Sequence, residues 1–140
     1  MTKDCIFCKI AKGKIPCYKV YEDKRIIAFL DVNPIAMGHT FIIPKKHYES
    51  IFDCKGKLLE NMIKVTQLLS VHYKEKLGCT GVNLLNSSGK SAEQEIPHIH
   101  FHLVPRFDED GYQLTHKTDY QKGNLEVLAN TLYMPLNKEK

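Results

Sequence analysis

One segment, Pro97–Val104 (PHIHFHLV), restricts the fold more than any other part of the sequence. Its apolar residues alternate with histidines, and successive side chains of a β-strand point to opposite faces of a sheet. We therefore predict a strand with one face toward a hydrophobic core and three imidazoles, those of His98, His100 and His102, on the other. Consecutive imidazoles would be about 6.6–6.8 Å apart.

Three histidines at alternate positions indicate a functional site rather than a solvated strand face. Histidine is the commonest metal ligand, and a neutral imidazole also acts as a nucleophile or in proton transfer. Adjacent imidazolium ions repel each other, so at least one ring is expected to be neutral near pH 7. The residues alone leave both a metal site and a nucleophilic or acid–base site open.

The rest of the chain reads as short strands and helices. We predict strands over Tyr18–Glu22, Arg25–Leu30, His39–Ile43, Thr80–Asn86 and Ile96–Val104, the last closed by Pro105. Apolar spacings of three and four predict a long helix over about residues 57–76, ended by Gly78. Shorter helices are predicted over Cys5–Ala11 and about residues 124–133. These elements predict an α+β fold with an antiparallel sheet of about five strands.

Composition excludes several classes of protein. A length of 140 residues, with 43% hydrophobic and 26% charged residues, fits one globular domain. No charge-free stretch reaches the about 18 residues that span a bilayer, and no signal peptide is evident, so we expect no membrane partner. The net charge of +4 is scattered along the chain, which predicts no nucleic-acid partner. An odd number of cysteines, five, favours reduced thiols or a metal site in a cytoplasmic protein.

Several ordered motifs resemble the histidine-triad (HIT) superfamily, and its bacterial-type Hint-like branch in particular. They are the CIFCKI segment at Cys5–Ile10, AFLDV at Ala28–Val32, GHTFIIPKKH at Gly38–His47, and the three histidines followed by Pro105–Arg106. The resemblance extends to about Phe107. It implies a HIT-like fold in which residues 1–140 form a single HIT domain, with a core at about residues 5–107 and a C-terminal extension at residues 108–140.

The resemblance implies a nucleotide-binding hydrolase that cleaves at the α-phosphorus of purine nucleoside phosphoramidates. His100 would be the nucleophile and form a nucleotidyl-histidine intermediate, which water then hydrolyses. His102 would stabilise charge on the phosphoryl oxygens, with His39 behind it and His98 as the remaining triad residue. Two alternatives remain open: a dinucleoside polyphosphate hydrolase of the Fhit-like branch, and a nucleotide-binding or interaction module with little turnover.

The same resemblance implies a pocket for a purine nucleotide. Its apolar wall would consist of Ile6, Phe7, Ile10, Phe29 and Val32, although core packing is an alternative for Phe7, Ile10 and Phe29. Asp31 would accept hydrogen bonds from the ribose hydroxyls. The loop before the triad would complete the site with Asn86, Ser87, Gln94 and Glu95.

That loop departs from the family pattern at three positions. Ser87 stands where an amide side chain is usual, and Glu95 stands where a hydroxyl is usual. Glu95 would act as a general acid if its pKa were raised, or repel the phosphate if ionised. Glu93 replaces a glycine, and we expect it to forbid conformations that only glycine reaches easily.

The Cys5-x-x-Cys8 motif supplies two thiols, half of a tetrahedral metal site. Several bacterial HIT proteins bind zinc through two cysteines and two histidines, and the resemblance implies His47 and His98 as the other two ligands. The alternative is a pair of reduced cysteines packed as small apolar residues. Family members are commonly homodimers joined through the long helix and an edge strand, so a homodimer is expected.

Overall fold

The computed structural model describes residues 4–114 and 123–136. Its contacts divide the chain into two compact units, Met1–Asp110 and Gly111–Lys140. Within the described residues, no helix combines the length and the hydropathy that crossing a bilayer requires. The prediction that the whole chain is one domain with an extension from residue 108 stays a prediction.

The first unit has the α+β architecture that the sequence predicts. Its elements, in chain order, are α1 (Ile6–Ala11), β1 (Lys19–Glu22), β2 (Ile26–Leu30), β3 (Thr40–Pro44), α2 (Gly56–Leu77), β4 (Gly81–Leu85), a 3-10 turn (Lys90–Ala92) and β5 (Phe101–Arg106). Every strand pairing is antiparallel, and the strand order is β1-β2-β3-β5-β4. The five-stranded antiparallel sheet, the long helix and the short N-terminal helix are thereby confirmed.

Helix α2 covers one face of the sheet. Its buried apolar side chains recur at spacings of three and four and belong to Met62, Val65, Leu69 and Tyr73. They pack against residues of three strands, namely Ile26, Ala28, Ile42, Phe101 and Leu103. Burying a side chain of this size stabilises the fold by roughly 1.5–3 kcal/mol. Gly78 ends α2 with a φ of 72°, a left-handed conformation that glycine adopts without a Cβ clash.

The short helix α1 packs on the opposite face. Because neighbouring strand residues alternate, Ile27 and Phe29 point away from α2 and into this second cluster. The ring of Phe7, from α1, lies 5.6 Å from that of Phe29 and 5.2 Å from that of Phe41. The His102 ring lies 5.0 Å from Phe41 and therefore belongs to the face that α1 covers.

The last strand begins later than the sequence predicts. Strand β5 starts at Phe101, so His102 lies in the strand, whereas His98 and His100 lie in the segment that leads into it. In that segment the Ile99 N–H donates to the Tyr48 carbonyl, outside the sheet, over 2.7 Å. The predicted start at Ile96 is therefore wrong, because the backbone of Ile99 pairs with a loop residue rather than with a neighbouring strand.

Pro105 lies within β5 instead of closing it. The Thr80 N–H donates to the Arg106 carbonyl, so residue 106 directs its backbone polar groups toward β4. The nitrogen of Pro105 therefore points to the opposite side of β5. There the pairing with β3 has already ended at Leu103, opposite Thr40. The missing N–H of proline removes no hydrogen bond from the sheet, which explains why the strand continues.

Among the described residues of the second unit, α3 (Leu125–Leu132) confirms the weaker helix predicted near the C-terminus. The Asn124 side-chain oxygen caps it by accepting the Val127 N–H over 3.1 Å.

Candidate functional site

His100 is buried in the α1-covered face, with 4% of its surface exposed. Its Nδ1 lies 2.8 Å from the carbonyl oxygen of His98. A carbonyl only accepts hydrogen bonds, so the ring proton is assigned to Nδ1 and the lone pair of Nε2 is left free. The rings of Phe7 and Phe41 hold the imidazole edge-on at 5.2 and 5.5 Å. This is a fixed ring in the tautomer that a nucleophile requires.

His39 and His102 form a directional pair beside His100. The Ile35 N–H donates to Nδ1 of His39 over 3.1 Å, so Nδ1 accepts and the proton of His39 is on Nε2. That Nε2 lies 2.9 Å from Nδ1 of His102 and donates to it. Neutral His102 then carries its own proton on Nε2, which makes it a hydrogen-bond donor.

Burial keeps these rings neutral. It lowers the pKa of His39 and of His100, and it is the largest cause that lowers the pKa of His102 to about 4. The neighbouring imidazoles of His100 and His39 lower the His102 pKa further. The negative charge of Asp31 opposes burial, because it raises the pKa of both His102 and His39. The neutral form predominates at pH 7, as adjacent imidazoles in a nonpolar setting require.

Asp31 places a carboxylate at the far end of the His39–His102 pair. Its Oδ2 lies 3.6 Å from Nδ1 of His39, and its side chain is 15% exposed. Its Oδ1 accepts the Asn33 N–H over 2.8 Å, which orients the group at the end of β2. Asp31 therefore offers a fixed, partly accessible acceptor next to the imidazoles.

Four potential metal ligands converge nearby: Cys5, Cys8, His47 and His98, with all ligand atoms within 4.8 Å of one another. The Sγ–Nδ1 distances are 3.3 Å for Cys8–His47 and 3.4 Å for Cys5–His98, and the two Nδ1 atoms are 3.2 Å apart. A tetrahedral zinc ion with Zn–S of about 2.3 Å and Zn–N of about 2.0–2.1 Å separates its ligands by about 3.6 Å (S···N) and 3.3 Å (N···N). The four residues thus fit a zinc ion.

The backbone fixes His98 in the orientation of a ligand. Its Nε2 donates to the Pro44 carbonyl over 2.7 Å, so Nδ1 keeps its lone pair toward the cysteines. Burial, and then the neighbouring Cys5, raise the pKa of Cys8 to about 11. A thiolate at such a position needs a compensating cation. Both ring nitrogens of His98 have partners, Nε2 at Pro44 and Nδ1 in the cluster of Cys5, Cys8 and His47. A catalytic role for this side chain stays a prediction.

Residues 12–109 match the HIT domain. The chain belongs to the HIT family. It is 48% identical over 107 residues to an uncharacterized HIT-like protein of Methanocaldococcus jannaschii, a match that covers 76% of this chain and 82% of the relative. It is 39% identical over 132 residues to an adenosine 5'-monophosphoramidase of Saccharomyces cerevisiae, covering 89% of this chain and 81% of that enzyme.

Solved HIT structures share the fold. A HIT family protein from Bacillus anthracis superposes with a TM-score of 0.83 at 38% identity, covering 94% of this chain and 96% of the other. A zinc-bound histidine triad family protein from Mycobacterium smegmatis superposes with a TM-score of 0.77 at 34% identity, covering 83% and 84%. The HIT-like fold expected from the sequence motifs is confirmed.

Two loop residues of this HIT chain that we predicted to bind nucleotide make hydrogen bonds to the backbone. Asn86 donates from Nδ2 to the carbonyl of His100 over 3.0 Å. Gln94 accepts the Gly89 N–H over 2.8 Å and donates to the carbonyls of Glu49 and Ile96 over 2.7 and 2.9 Å. Their contacts position the triad segment, and contact with nucleotide stays a prediction for both.

The other two predicted loop residues differ from each other in exposure. Ser87 is half-buried, and Glu95 is exposed at the entrance of the triad segment. The carboxylate of Glu95 lies near enough to His100 to oppose, in part, the lowering of its pKa by burial. A negative charge therefore faces the candidate nucleophile.

Glu93 adopts a left-handed conformation, with φ of 63° and ψ of 32°. The expectation that a glutamate here would forbid the conformation of a glycine is wrong. The left-handed helical region is open to other residues at a cost of about 1–2 kcal/mol. Here the turn bonds of the flanking backbone hold it: the Glu93 N–H donates to Lys90 over 3.0 Å, and the Gln94 N–H donates to Gly89 over 3.2 Å.

The predicted apolar wall separates into two groups. Phe7, Ile10 and Phe29 are buried in the core under α1, whereas Ile6 and Val32 are 45% and 72% exposed. Only the exposed pair offers open surface to a ligand, and contact with a purine stays a prediction for all five. Sequence reasoning missed Phe41, whose ring packs against both His100 and His102. Its position two residues after His39 in an alternating strand was the available signal.

Proposed function

We propose that this chain hydrolyses purine nucleoside phosphoramidates, compounds in which an amine is bonded to the phosphorus of a nucleoside monophosphate. The observation that supports the proposal is the tautomer of His100, with Nδ1 held by the His98 carbonyl and Nε2 free. A neutral donor, His102, lies beside it with its ring centroid at 5.0 Å. A nucleophile and a charge-stabilising group side by side are what phosphoryl transfer requires.

The reaction would take place in two displacements. Nε2 of His100 attacks the phosphorus, the N–P bond to the enzyme forms, and the P–N bond to the amine breaks. The amine leaves with the electron pair and takes a proton from water. A second water then attacks the phosphorus and gives a proton to the hydroxide formed in the first step, and the P–N bond to the enzyme breaks, which releases the nucleoside monophosphate and restores neutral His100. The Nε2–H of His102 would donate to a non-bridging oxygen, a contact worth about 2.7–4 kcal/mol in comparable sites.

The similarity to an adenosine 5'-monophosphoramidase supports this substrate class, since that enzyme's name specifies a nucleotide joined to an amine. The position of Asp31 supports the nucleotide. Its carboxylate is held beside His39 with part of its surface open, as a group that binds ribose hydroxyls would be.

The decisive experiment compares two substrates. Purified protein is incubated with an adenosine phosphoramidate and with a diadenosine polyphosphate, and AMP release is followed. We expect faster release from the phosphoramidate. Faster release from the diadenosine compound would favour a dinucleoside polyphosphate hydrolase. AMP binding without release from either substrate would favour a nucleotide-binding module.

The nucleophile is tested with His100→Ala and a matched control, His72→Ala. His100 is buried beside the other imidazoles, whereas His72 is exposed on α2. We expect a loss of at least about 1,000-fold in kcat for His100→Ala and no change for His72→Ala. Equal activity in the three proteins would reject the assignment of His100.

We also propose that Cys5, Cys8, His47 and His98 hold a structural Zn²⁺. The bound ion would cross-link α1, the loop after β3 and the segment before β5, in addition to the apolar contacts and the hydrogen bond from Ile99 to Tyr48 that join them. The zinc-bound HIT relative supports the assignment. The ligand set has no open position, which is typical of a structural rather than a catalytic zinc site.

A homodimer is the third part of the proposal. Helix α2 exposes Ile63, Leu68 and Val71, and the edge strand β4 exposes Val82 and Leu84. An edge strand with apolar side chains invites pairing with another chain. Light scattering at micromolar concentration tests the proposal. A dimeric mass that Leu68→Asp converts to a monomeric mass would support it, and a monomeric mass for the unaltered chain would contradict it.

A further inference from the structure

A cavity of about 290 Å³ lies apart from the imidazoles. It is lined by Lys24, Arg25, Lys45, Lys46, Tyr48, Lys55, Lys57 and Leu58. Lys45 and Lys46 follow the end of β3, whereas His39 precedes its start. Six residues of extended chain therefore separate His39 from Lys45, about 20 Å. None of the four candidate zinc ligands lines this cavity, which we call the basic pocket.

Some of these cations are neutralised. Lys45 pairs with Glu22 over 2.9 Å, and Lys57 pairs with Glu60 over 3.3 Å. The Nζ of Lys46 lies 5.5 Å from the centre of the Tyr48 ring. Asp23, also close in sequence, uses Oδ1 to accept backbone N–H groups.

The other cations are unpaired. Within residues 4–114, the side chains of Lys24, Arg25 and Lys55 have neither an ion pair nor a hydrogen bond, and all three are exposed. The basic pocket therefore retains a net positive charge, supplied by two separate segments, Lys24–Arg25 and Lys55.

The positive end of α2 adds to this charge. The helix has 22 residues, no side chain caps its start, and its first turn contains no acidic residue. Lys55 and Lys57, which flank the helix start, both line the pocket. The partial positive charge of the helix start and its free N–H groups therefore attract an anion to that side of the pocket. A Cβ at Gly56, the first residue of α2, would meet no atom within 4 Å, so the space over the helix start is open to a ligand.

We propose that the basic pocket binds a compact polyphosphate anion of two or three phosphate groups. Several unpaired cations around one cavity match the closely spaced charges of such a ligand, whereas one phosphate would contact only some of them. Nucleic acid fits less well. The cations surround a cavity instead of following a track, and the cavity lining contains one aromatic ring, Tyr48, one face of which already carries the Lys46 ammonium.

The probe for this site is inorganic tripolyphosphate, titrated calorimetrically into the full chain. Lys24→Gln/Arg25→Gln/Lys55→Gln removes the unpaired charges, and Lys14→Gln/Lys74→Gln/Lys76→Gln removes the same charge from exposed lysines elsewhere. We expect the first variant to bind at least about tenfold more weakly and the second to change less than about threefold. Equal losses would indicate diffuse attraction and overturn the proposal.

Two further measurements separate this site from others. Tripolyphosphate binding should persist in His100→Ala/His102→Ala, and its loss there would assign the anion to the imidazoles instead. A single-stranded RNA oligonucleotide that bound more tightly than tripolyphosphate, and depended on the same three residues, would also overturn the proposal. Because binding is measured without turnover, the result is independent of the proposed hydrolysis. The triple variant should keep its melting temperature, since the altered side chains are exposed.

Discussion

The hydrogen bond from Nε2 of His39 to Nδ1 of His102, 2.9 Å long, has a fixed direction. The Ile35 N–H occupies Nδ1 of His39, and this backbone contact decides which nitrogen of each ring carries the proton. His102 is held as a donor although it never contacts Ile35. A loop amide thus sets the protonation of the side chain that would face the phosphate.

This relationship predicts that His39→Ala lowers kcat by about 10–100-fold, the loss usual when an orienting partner is removed. The Michaelis constant should change little, because His39 is buried behind His102 and does not reach a substrate. Steady-state kinetics with the phosphoramidate measure both constants. His39→Gln, whose amide can donate to His102, should recover part of kcat. Unchanged kcat in His39→Ala, or no difference between the two variants, would contradict a positioning role.

Elements that depend on local periodicity were predictable from the sequence. Helix α2 at Gly56–Leu77 lies within one residue of its predicted bounds, because its buried stripe recurs along one segment. Strand β5 was misplaced because its start depends on pairing with distant residues. The alternation in Pro97–Val104 continues through Ile99, but the N–H of that residue donates to the carbonyl of Tyr48, more than fifty residues earlier in the chain.

The site was predictable to a similar extent. The residue types indicated a site at the three histidines, and the family resemblance singled out His100 and the Cys5/Cys8 pair. Neither could reveal tautomers, which depend on carbonyls such as those of His98 and Pro44. Nor does residue type separate a ligand-binding amide from one that holds a loop. Gln94 uses both ends of its amide within the protein, a fact that only the folded loop shows.

The conformation of Glu93 predicts a stabilising substitution. Glu93→Gly relieves about 1–2 kcal/mol of left-handed strain and loses about 0.4–1 kcal/mol through a more flexible unfolded chain. We expect the melting temperature to rise by about 1–4 °C. Ala92→Gly is the control, because the φ of Ala92 is not positive and the glycine should lower stability there. A similar decrease in both variants would argue against strain at Glu93.

The zinc site predicts a loss of metal and of stability together. We expect elemental analysis to find about one equivalent of zinc in the native protein and none in Cys5→Ser/Cys8→Ser. It should also lower the melting temperature by roughly 5–15 °C, because the energy of binding a structural zinc contributes to folding. A chelator should lower the melting temperature of the native protein and leave that of the variant unchanged.

Cys17→Ser/Cys54→Ser is the matched control for the zinc site. These two thiols are half-buried and lie outside the cluster of potential ligands. Zinc content and melting temperature should both stay at native values. Equal zinc content in the native protein and in Cys5→Ser/Cys8→Ser would show that the metal is bound elsewhere.

The low pKa of His102 predicts a loss of stability in acid. Its folded pKa of about 4 lies below the unfolded value of about 6.5, so between these values the unfolded chain binds a proton that the native protein does not. The contribution of His102 to stability is therefore fully present above about pH 7 and is lost toward pH 4, with a loss of about 1–2 kcal/mol at pH 5.

Thermal melts of native protein and His102→Gln at pH 7.5 and 5.0 test this contribution. The melting temperature of the variant should fall less in acid than that of the native protein. His72→Gln, at an exposed position, should behave as the native protein does, and an identical acid loss in all three proteins would mean that His102 does not titrate as its burial requires.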